Sequence, residues 1–202
     1  NAVLEGVEPK LETFEKTIAH IVPKDKIAEQ DYNLSGDRYK EEVVYDGNWD
    51  LVELGELLDY EQPTKYIVES VDYDDSFKTP VLTAGKSFIL GYTKEKEGIY
   101  TNLPCIIFDD FTTDFKWVDF NFKVKSSAMK ILTAKNDKVN LKFVYYMMQG
   151  IEFDASTHKR YYLSQYAKQK IPIPPIEVQE RIVEEIESYQ NIIDGAKKLG
   201  CC

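Results

Sequence analysis

Lys159 to Leu199 reads KRYYLSQYAKQKIPIPPIEVQERIVEEIESYQNIIDGAKKL, and three kinds of chain follow one another in it. A basic, aromatic patch comes first: Lys159, Arg160, Tyr161, Tyr162. The run Ile171-Pro172-Ile173-Pro174-Pro175 follows. Prolines lack the backbone donor of a helix interior and push the preceding residue out of the helical region, so this connector is expected to run extended. Beyond it the spacing predicts a long amphipathic helix. Ile182, Ile186, Tyr189, Ile193 and Ala196 recur in a heptad seam. Glu177, Glu180, Glu184 and Glu185 crowd the first turns and Lys197 and Lys198 the last, a polarity that suits the helix dipole.

This tail resembles the end of a target-recognition unit in type I restriction-modification specificity subunits. Their recognition domains run through an IPxPPxExQxxIV connector into a helix. Ile171, Pro172, Pro174, Pro175, Glu177, Gln179, Ile182 and Val183 fit that pattern. The resemblance implies that the helix pairs into an antiparallel coiled coil spacing two DNA-reading domains. Ile182, Ile186, Tyr189, Ile193 and Ala196 are then the dimerisation residues.

The chain's 202 residues suit one domain of ordinary size with an appendage. Its 43% hydrophobic and 13% aromatic content supports a packed core. No apolar run reaches membrane-spanning length and no signal-peptide pattern opens the chain. Cys105, Cys201 and Cys202 form neither a disulfide framework nor a metal-ligand spacing, so a cytoplasmic setting is expected. The chain opens with Asn-Ala, and it is read as a fragment of a longer protein. Its net charge of −10 hides a gradient. Residues 1–83 hold 8 Lys/Arg and 20 Asp/Glu, residues 84–170 hold 14 and 9, and residues 171–202 hold 3 and 6. A basic middle between acidic ends permits a local phosphate-binding face, while strong DNA binding calls for a more basic partner.

Before the recognition-like part, Leu4, Val7, Leu11, Phe14, Ile18 and Ile21 predict a helix within Val3–Val22 that Pro23 ends. Asp31-Tyr32-Asn33-Leu34-Ser35-Gly36-Asp37-Arg38-Tyr39 resembles the "ydLSpsRY" segment near the C-terminus of type I modification (methyltransferase) subunits. That fits a methyltransferase fused to its own specificity domain. The chain has no N-P-P-[FYW] motif and no glycine-rich turn for S-adenosylmethionine. Glu41 to Asn48 reads as a polar linker. Trp49 to Leu58 resembles the "W…v.Lge" opening of a recognition domain. It predicts a short strand and one or two helical turns, with Trp49, Val52, Leu54, Leu57 and Leu58 in the core.

Strands are expected at Tyr66–Glu69, Pro80–Thr83, Ser87–Leu90, Pro104–Phe108 and Met129–Leu132, with a polar loop over Gly91–Gly98. Lys116–Lys125 alternates strictly and predicts one half-buried strand. Trp117, Asp119, Asn121, Lys123 and Lys125 would share its open face, with Val118, Phe120, Phe122 and Val124 inward. Asn140 should cap a helix to Met148, with Leu141, Val144, Tyr145 and Met148 inward. Lysine and arginine hold phosphates, whereas Asn, Gln, Ser, Thr, Arg and Lys on protruding elements address base edges. Lys86, Lys94, Lys96, Lys123, Lys125, Lys130, Lys135 and Lys159 are candidates for the first role. Thr83, Ser87, Tyr92, Thr112, Thr113, Ser126 and Arg160 are candidates for the second.

Rival chemistries leave weaker traces. Asp72-Tyr73-Asp74-Asp75-Ser76 lacks the glycine and distal glutamate of a calcium loop and reads as a solvated turn. Asp109, Asp110 and Asp114 raise a metal-dependent nuclease, yet no E-x-K follows at the right place, and a turn capping backbone donors explains them. His20 and His158 are isolated. The expectation is an α+β fold: a mixed-sheet DNA target-recognition domain followed by a long coiled-coil helix. Residues 1–48 form an N-terminal helix and linker, 49–170 the recognition domain, and 171–202 the connector and spacer helix.

The resemblance further implies a non-catalytic component that binds double-stranded DNA and reads one half of a bipartite target. Its partners would be a modification subunit or domain, a restriction subunit, and a dimer mate or second recognition domain. S-adenosylmethionine would sit on the methyltransferase and not on this chain. The alternative is a coiled-coil protein-interaction module without DNA specificity.

Overall fold

Cys105-Ile106-Ile107-Phe108 is apolar at every position because both of its faces are covered. Ile106 and Phe108 enter one buried cluster with Leu54, Leu58, Leu132, Val144 and Tyr166. Cys105 and Ile107 enter a second with Leu82, Tyr100, Phe122, Val124 and Ile131. A strand with one wet face would have alternated. In this computed structural model residues 22, 24–29, 31–32, 48–85, 87–155 and 159–198 are described. The chain divides into two units between Gly47 and Asn48. The first contributes one short helix, α1 (Lys24–Glu29). The Val3–Val22 stripe, apart from Val22, and most of Asp31–Tyr39 lie outside the described residues.

The second unit opens as its sequence suggests. β1 (Leu51–Glu53) is followed by one turn of helix, α2 (Leu54–Leu57), and then β2 (Leu58–Glu61). Leu54, Leu57 and Leu58 are buried, Val52 packs half-buried against them, and Trp49, expected in the core, is half-buried. β3 (Thr79–Leu82) and β4 (Ile89–Thr93) form a hairpin, and β5 (Cys105–Asp109) and β6 (Phe115–Val118) a second. β7 (Lys123–Val124), β8 (Met129–Ala134), α3 (Leu141–Gln149), β9 (Lys170–Pro172) and α4 (Ile176–Lys198) complete the order. The central sheet runs β2-β8-β5-β6 and is antiparallel throughout. A smaller sheet, β4-β3-β7, contains the parallel pair β3–β7. The first cluster joins the central sheet to α2, α3, the start of α4 and the aromatic tail, and the second joins it to the smaller sheet. Phe108 carries much of the first, with ring contacts to Tyr162 at 5.2 Å and Tyr166 at 4.7 Å. Each such pair adds about 1 kcal/mol beyond simple burial.

Three local expectations change. Tyr66–Glu69 is not a strand: Pro63–Tyr66 forms a 3-10 turn and Ile67 makes a single bridge to Val124. The second strand of the first hairpin starts at Ile89 and continues through Thr93, so Gly91 to Thr93 belong to it and not to the loop. Gly91 is required there, because a Cβ would lie 2.6 Å from Cβ of Tyr73. The alternating run Lys116–Lys125 is two strands in two sheets. β6 pairs with β5, the chain crosses over at Asp119–Asn121, and β7 pairs with β3. Burial no longer alternates on either side of the crossing: Phe115, Lys116 and Trp117 are half-buried, with Trp117 packed on the first cluster, and Lys123 and Val124 are both buried.

The tail keeps its predicted character. The proline connector is extended and pairs as β9 with β1, Ile171 opposite Val52. The amide of Ile173 adds a hydrogen bond to the Asp50 carbonyl. This short two-stranded ladder tolerates Pro172, which has no amide to give. Asn140 caps α3 as expected, its side-chain oxygen accepting from the amides of Lys142 and Phe143. Burying Gln179 binds α4 to the same corner. Its side-chain oxygen accepts from the Asn140 amide at 2.9 Å, and its amide nitrogen donates to the carbonyls of Lys138 at 3.0 Å and Pro174 at 2.8 Å.

Candidate nucleic-acid interface

The β5–β6 turn, the segment before β8, and the start of the tail meet at one end of the central sheet. Asp110 joins them. Its amide donates to the Ala128 carbonyl and its carbonyl accepts from the Tyr161 amide, both at 2.9 Å. Its carboxylate accepts from the Tyr162 amide at 2.8 Å and pairs with Lys130 Nζ at 2.9 Å. Lys130 also donates to Gln62 Oε1 at 3.3 Å. The Asp110 and Lys130 side chains are 4% and 2% exposed, so each charge depends on the other. The end of β3 reaches the same region, because the Lys125 amide donates to the Leu82 carbonyl.

The turn itself is built by its acids. Asp109 Oδ1 accepts from the amides of Phe111 and Thr112, and the Thr112 hydroxyl donates to Asp114 Oδ2 at 3.0 Å. Thr113 adopts φ of 61°, a left-handed conformation that glycine takes without penalty and a β-branched residue resists. A threonine thus holds a position whose backbone suits glycine. Asp109 and Asp110 are committed to amides and to Lys130, which accounts for both without a metal.

Several sequence candidates fall on this end. Lys125, Ser126, Thr112, Lys159 and Arg160 are exposed there, with Thr113 and Thr83 half-buried. Ser87 is exposed in the β3–β4 turn. Lys125 Nζ lies 5.9 Å from the ring centre of Tyr73. Arg160 is 52% exposed, stands 3.6 Å from Asp110 Oδ2 and covers the Phe111 ring at 5.5 Å. Ser126 and Thr83 each spend part of their bonding locally, accepting from the amides of Ala128 and Gly85.

Other candidates are elsewhere. Lys123, expected on an open strand face, is 4% exposed in its side chain, pairs with Glu95 at 2.7 Å and donates to the Glu97 carbonyl. Lys130, expected to hold phosphate, is the buried partner of Asp110. Both amines are buried and paired with a carboxylate, so both are structural charges. Burial works against ionisation of Glu95, but Lys123 and the amides of Ser70 and Glu69 outweigh it and hold the carboxyl below its usual range. Lys94 and Lys96 follow the far end of β4, away from the turn that holds Ser87. Tyr92 is half-buried in mid-strand opposite Pro80. Lys135 closes the opposite end of β8 and donates to the Gly55 carbonyl at 3.2 Å. Lys86 lies outside the described residues.

Asp110 and Phe111 were not picked out as part of the interface, and Tyr73 was read only as turn. A signal for the first existed: Lys130 stands inside the apolar run Met129-Lys130-Ile131-Leu132. A lysine in a buried strand calls for a carboxylate, and Asp110 is a nearby acid at a strand end. The helix seam divides. Ile182 packs on the domain core, whereas Tyr189, Ile192 and Ile193 are 46%, 58% and 47% exposed. Among the described residues no helix is long and apolar enough to cross a membrane, and no three His, Cys, Asp or Glu side chains gather as a metal site.

Loops are held in register at one end of a two-faced sheet, and a long helix docks at the other. Comparison with known proteins gives the family. The description "Type I restriction modification DNA specificity domain" matches residues 46–199, and the chain belongs to that family, the non-catalytic recognition component of its systems. It is 51% identical over 148 residues to the Escherichia coli type I restriction enzyme EcoR124I/EcoR124II specificity subunit, covering 67% of this chain and 37% of that one. Two solved structures share its fold. The HsdS subunit of Thermoanaerobacter tengcongensis superimposes with a TM-score of 0.52 at 17% identity, over 76% of this chain and 40% of that one. A type I S subunit from M. genitalium gives 0.61 at 14% identity, over 87% and 48%. The chain thus spans less than half the length of these relatives.

Proposed function

We propose that this chain is one target-recognition domain of a type I specificity subunit, reading one half of a bipartite DNA sequence. The carrying observation is the convergence of Lys125, Ser126, Thr112, Lys159 and Arg160 on the sheet end that Asp110 ties together. Cations there hold phosphates, and the rigid turn and Arg160 address the groove. Adenine methylation and restriction would be done by partner subunits. A modification subunit, joined as a separate chain or as a fusion, carries S-adenosylmethionine, and a restriction subunit completes the assembly. The segment Asp31–Tyr39 supports the fusion. A second recognition domain reads the other half-site, docked through Tyr189, Ile193 and their neighbours on α4. The working compartment is the cytoplasm.

The test is methylation-site mapping. The parent protein is expressed with its methyltransferase partner in a methylation-free host, and the genome is read for N6-methyladenine. A split motif with an unspecified spacer is expected, and exchanging residues 79–170 should change one half of it. Absence of methylation with an active partner present would favour a coiled-coil interaction module.

A further inference from the structure

Among the cations at the interface, Arg160 is held differently from the lysines. Its guanidinium is fixed from two directions, by Asp110 Oδ2 at 3.6 Å and by the Phe111 ring at 5.5 Å, while 52% of the side chain stays open to solvent. The carboxylate that holds it does not cancel its charge, because Lys130 already neutralises Asp110 at 2.9 Å. Two cations on one carboxylate leave a net positive charge, and Arg160 is the one that faces outward. The anchor itself is immobile. Asp110 is fixed through its amide, its carbonyl and both carboxylate oxygens to Ala128, Tyr161, Tyr162 and Lys130.

A cation that only holds phosphate gains no base discrimination from such orientation, since the backbone charge is the same at every base pair. A planar fork read against a base edge does gain, because paired hydrogen bonds demand a set plane and direction. Resting on the DNA-reading function above, we infer that Arg160 is a specificity-determining residue. In this reading it contacts a base edge carrying two acceptors, the pattern of guanine in the major groove, and Asp110 with Lys130 is the device that positions it. Asp110 touches no DNA; it acts through Arg160.

The experiment uses the full specificity subunit assembled with its methyltransferase, and selects sites from a randomised double-stranded DNA pool at two salt concentrations. Arg160→Ala is expected to lower preference at one base pair of the half-site by about ten- to a hundredfold, leaving the other positions unchanged. Arg160→Lys should restore overall affinity but not that preference. The double substitution Asp110→Asn with Lys130→Met removes the buried pair without leaving a lone charge. It should weaken preference at the same base pair and no other. If Arg160→Ala instead weakens all sequences equally and lowers the salt slope by about one, Arg160 is a phosphate clamp and the inference falls while the domain's function stands. If Arg160→Ala behaves as expected and the double variant keeps full preference, the positioning role of Asp110 is overturned. A wild-type assembly with no sequence preference overturns both the inference and the function beneath it.

Discussion

Asp110 and Gln179 are both polar, both buried, and each fastens three pieces of chain, yet they do so with different physics. Asp110 is a charged hub at the loop end of the sheet, matched by Lys130. Gln179 is a neutral hub at the helix end, fully used by the Asn140 amide and the carbonyls of Lys138 and Pro174. The neutral hub fixes where α4 leaves the domain and adds no field. The charged hub fixes loop geometry and at the same time leaves a positive charge facing outward at Arg160. One end of this domain fixes where a helix leaves, and the other leaves a cation facing solvent.

The contrast predicts an order of effects. Asp110→Ala strands Lys130 in a buried site and should destabilise the chain by about 3–5 kcal/mol in urea unfolding. Gln179→Ala leaves neutral groups unpaired, two of them near solvent, and should cost about 3 kcal/mol or less. Equal losses from the two would mean that charge adds nothing to the first hub.

Lys123 with Glu95 is a second charge pair, its lysine buried and its carboxylate half-buried, and it gives a pH test. The Glu95 carboxyl is held low in the folded chain. Its stabilisation is therefore present above the unfolded value, near 4.3, and is lost as pH falls through the lower folded value. Glu95→Gln should cost about 2 kcal/mol at pH 7, and the gap from the wild type should close in acid. A gap independent of pH would show that the amides of Glu69 and Ser70, not the charge, hold this loop.

The smallest effect belongs to the turn. Thr113→Gly relieves a left-handed β-branched residue and should stabilise by about 1 kcal/mol or less. A loss of stability would show that the threonine side chain supports the turn more than its backbone strains it.

The two hubs also differ in how readable they were. Gln179 stands out in sequence as part of a connector of fixed spacing, Ile171-Pro172-x-Pro174-Pro175-x-Glu177-x-Gln179, whereas its bonds to Lys138, Asn140 and Pro174 appear only in the fold. Asp110 reads in sequence as part of a turn capping backbone donors, because its partner Lys130 is brought opposite it only by the pairing of β5 with β8. The same limit misplaced Lys123. Strict alternation from Lys116 to Lys125 describes side-chain direction, but the chain changes sheets at Asp119–Asn121, and the loop carrying Glu95 covers the lysine.

Local chemistry was therefore enough for many of the elements, and the resemblance carried by the connector for the class of the domain. Prolines forbid helix in the connector, a heptad stripe with polarised charges makes α4, an asparagine cap starts α3, and an unbroken apolar run marks a strand covered on both sides. Each of these depends on neighbours within a turn or two of helix or along one strand. Which lysines are buried, which half of the helix seam stays open, and which loops share one surface depend on contacts between residues far apart in the chain. Those contacts follow from strand order and register, and a charge becomes structural or available only when they bring a carboxylate to it.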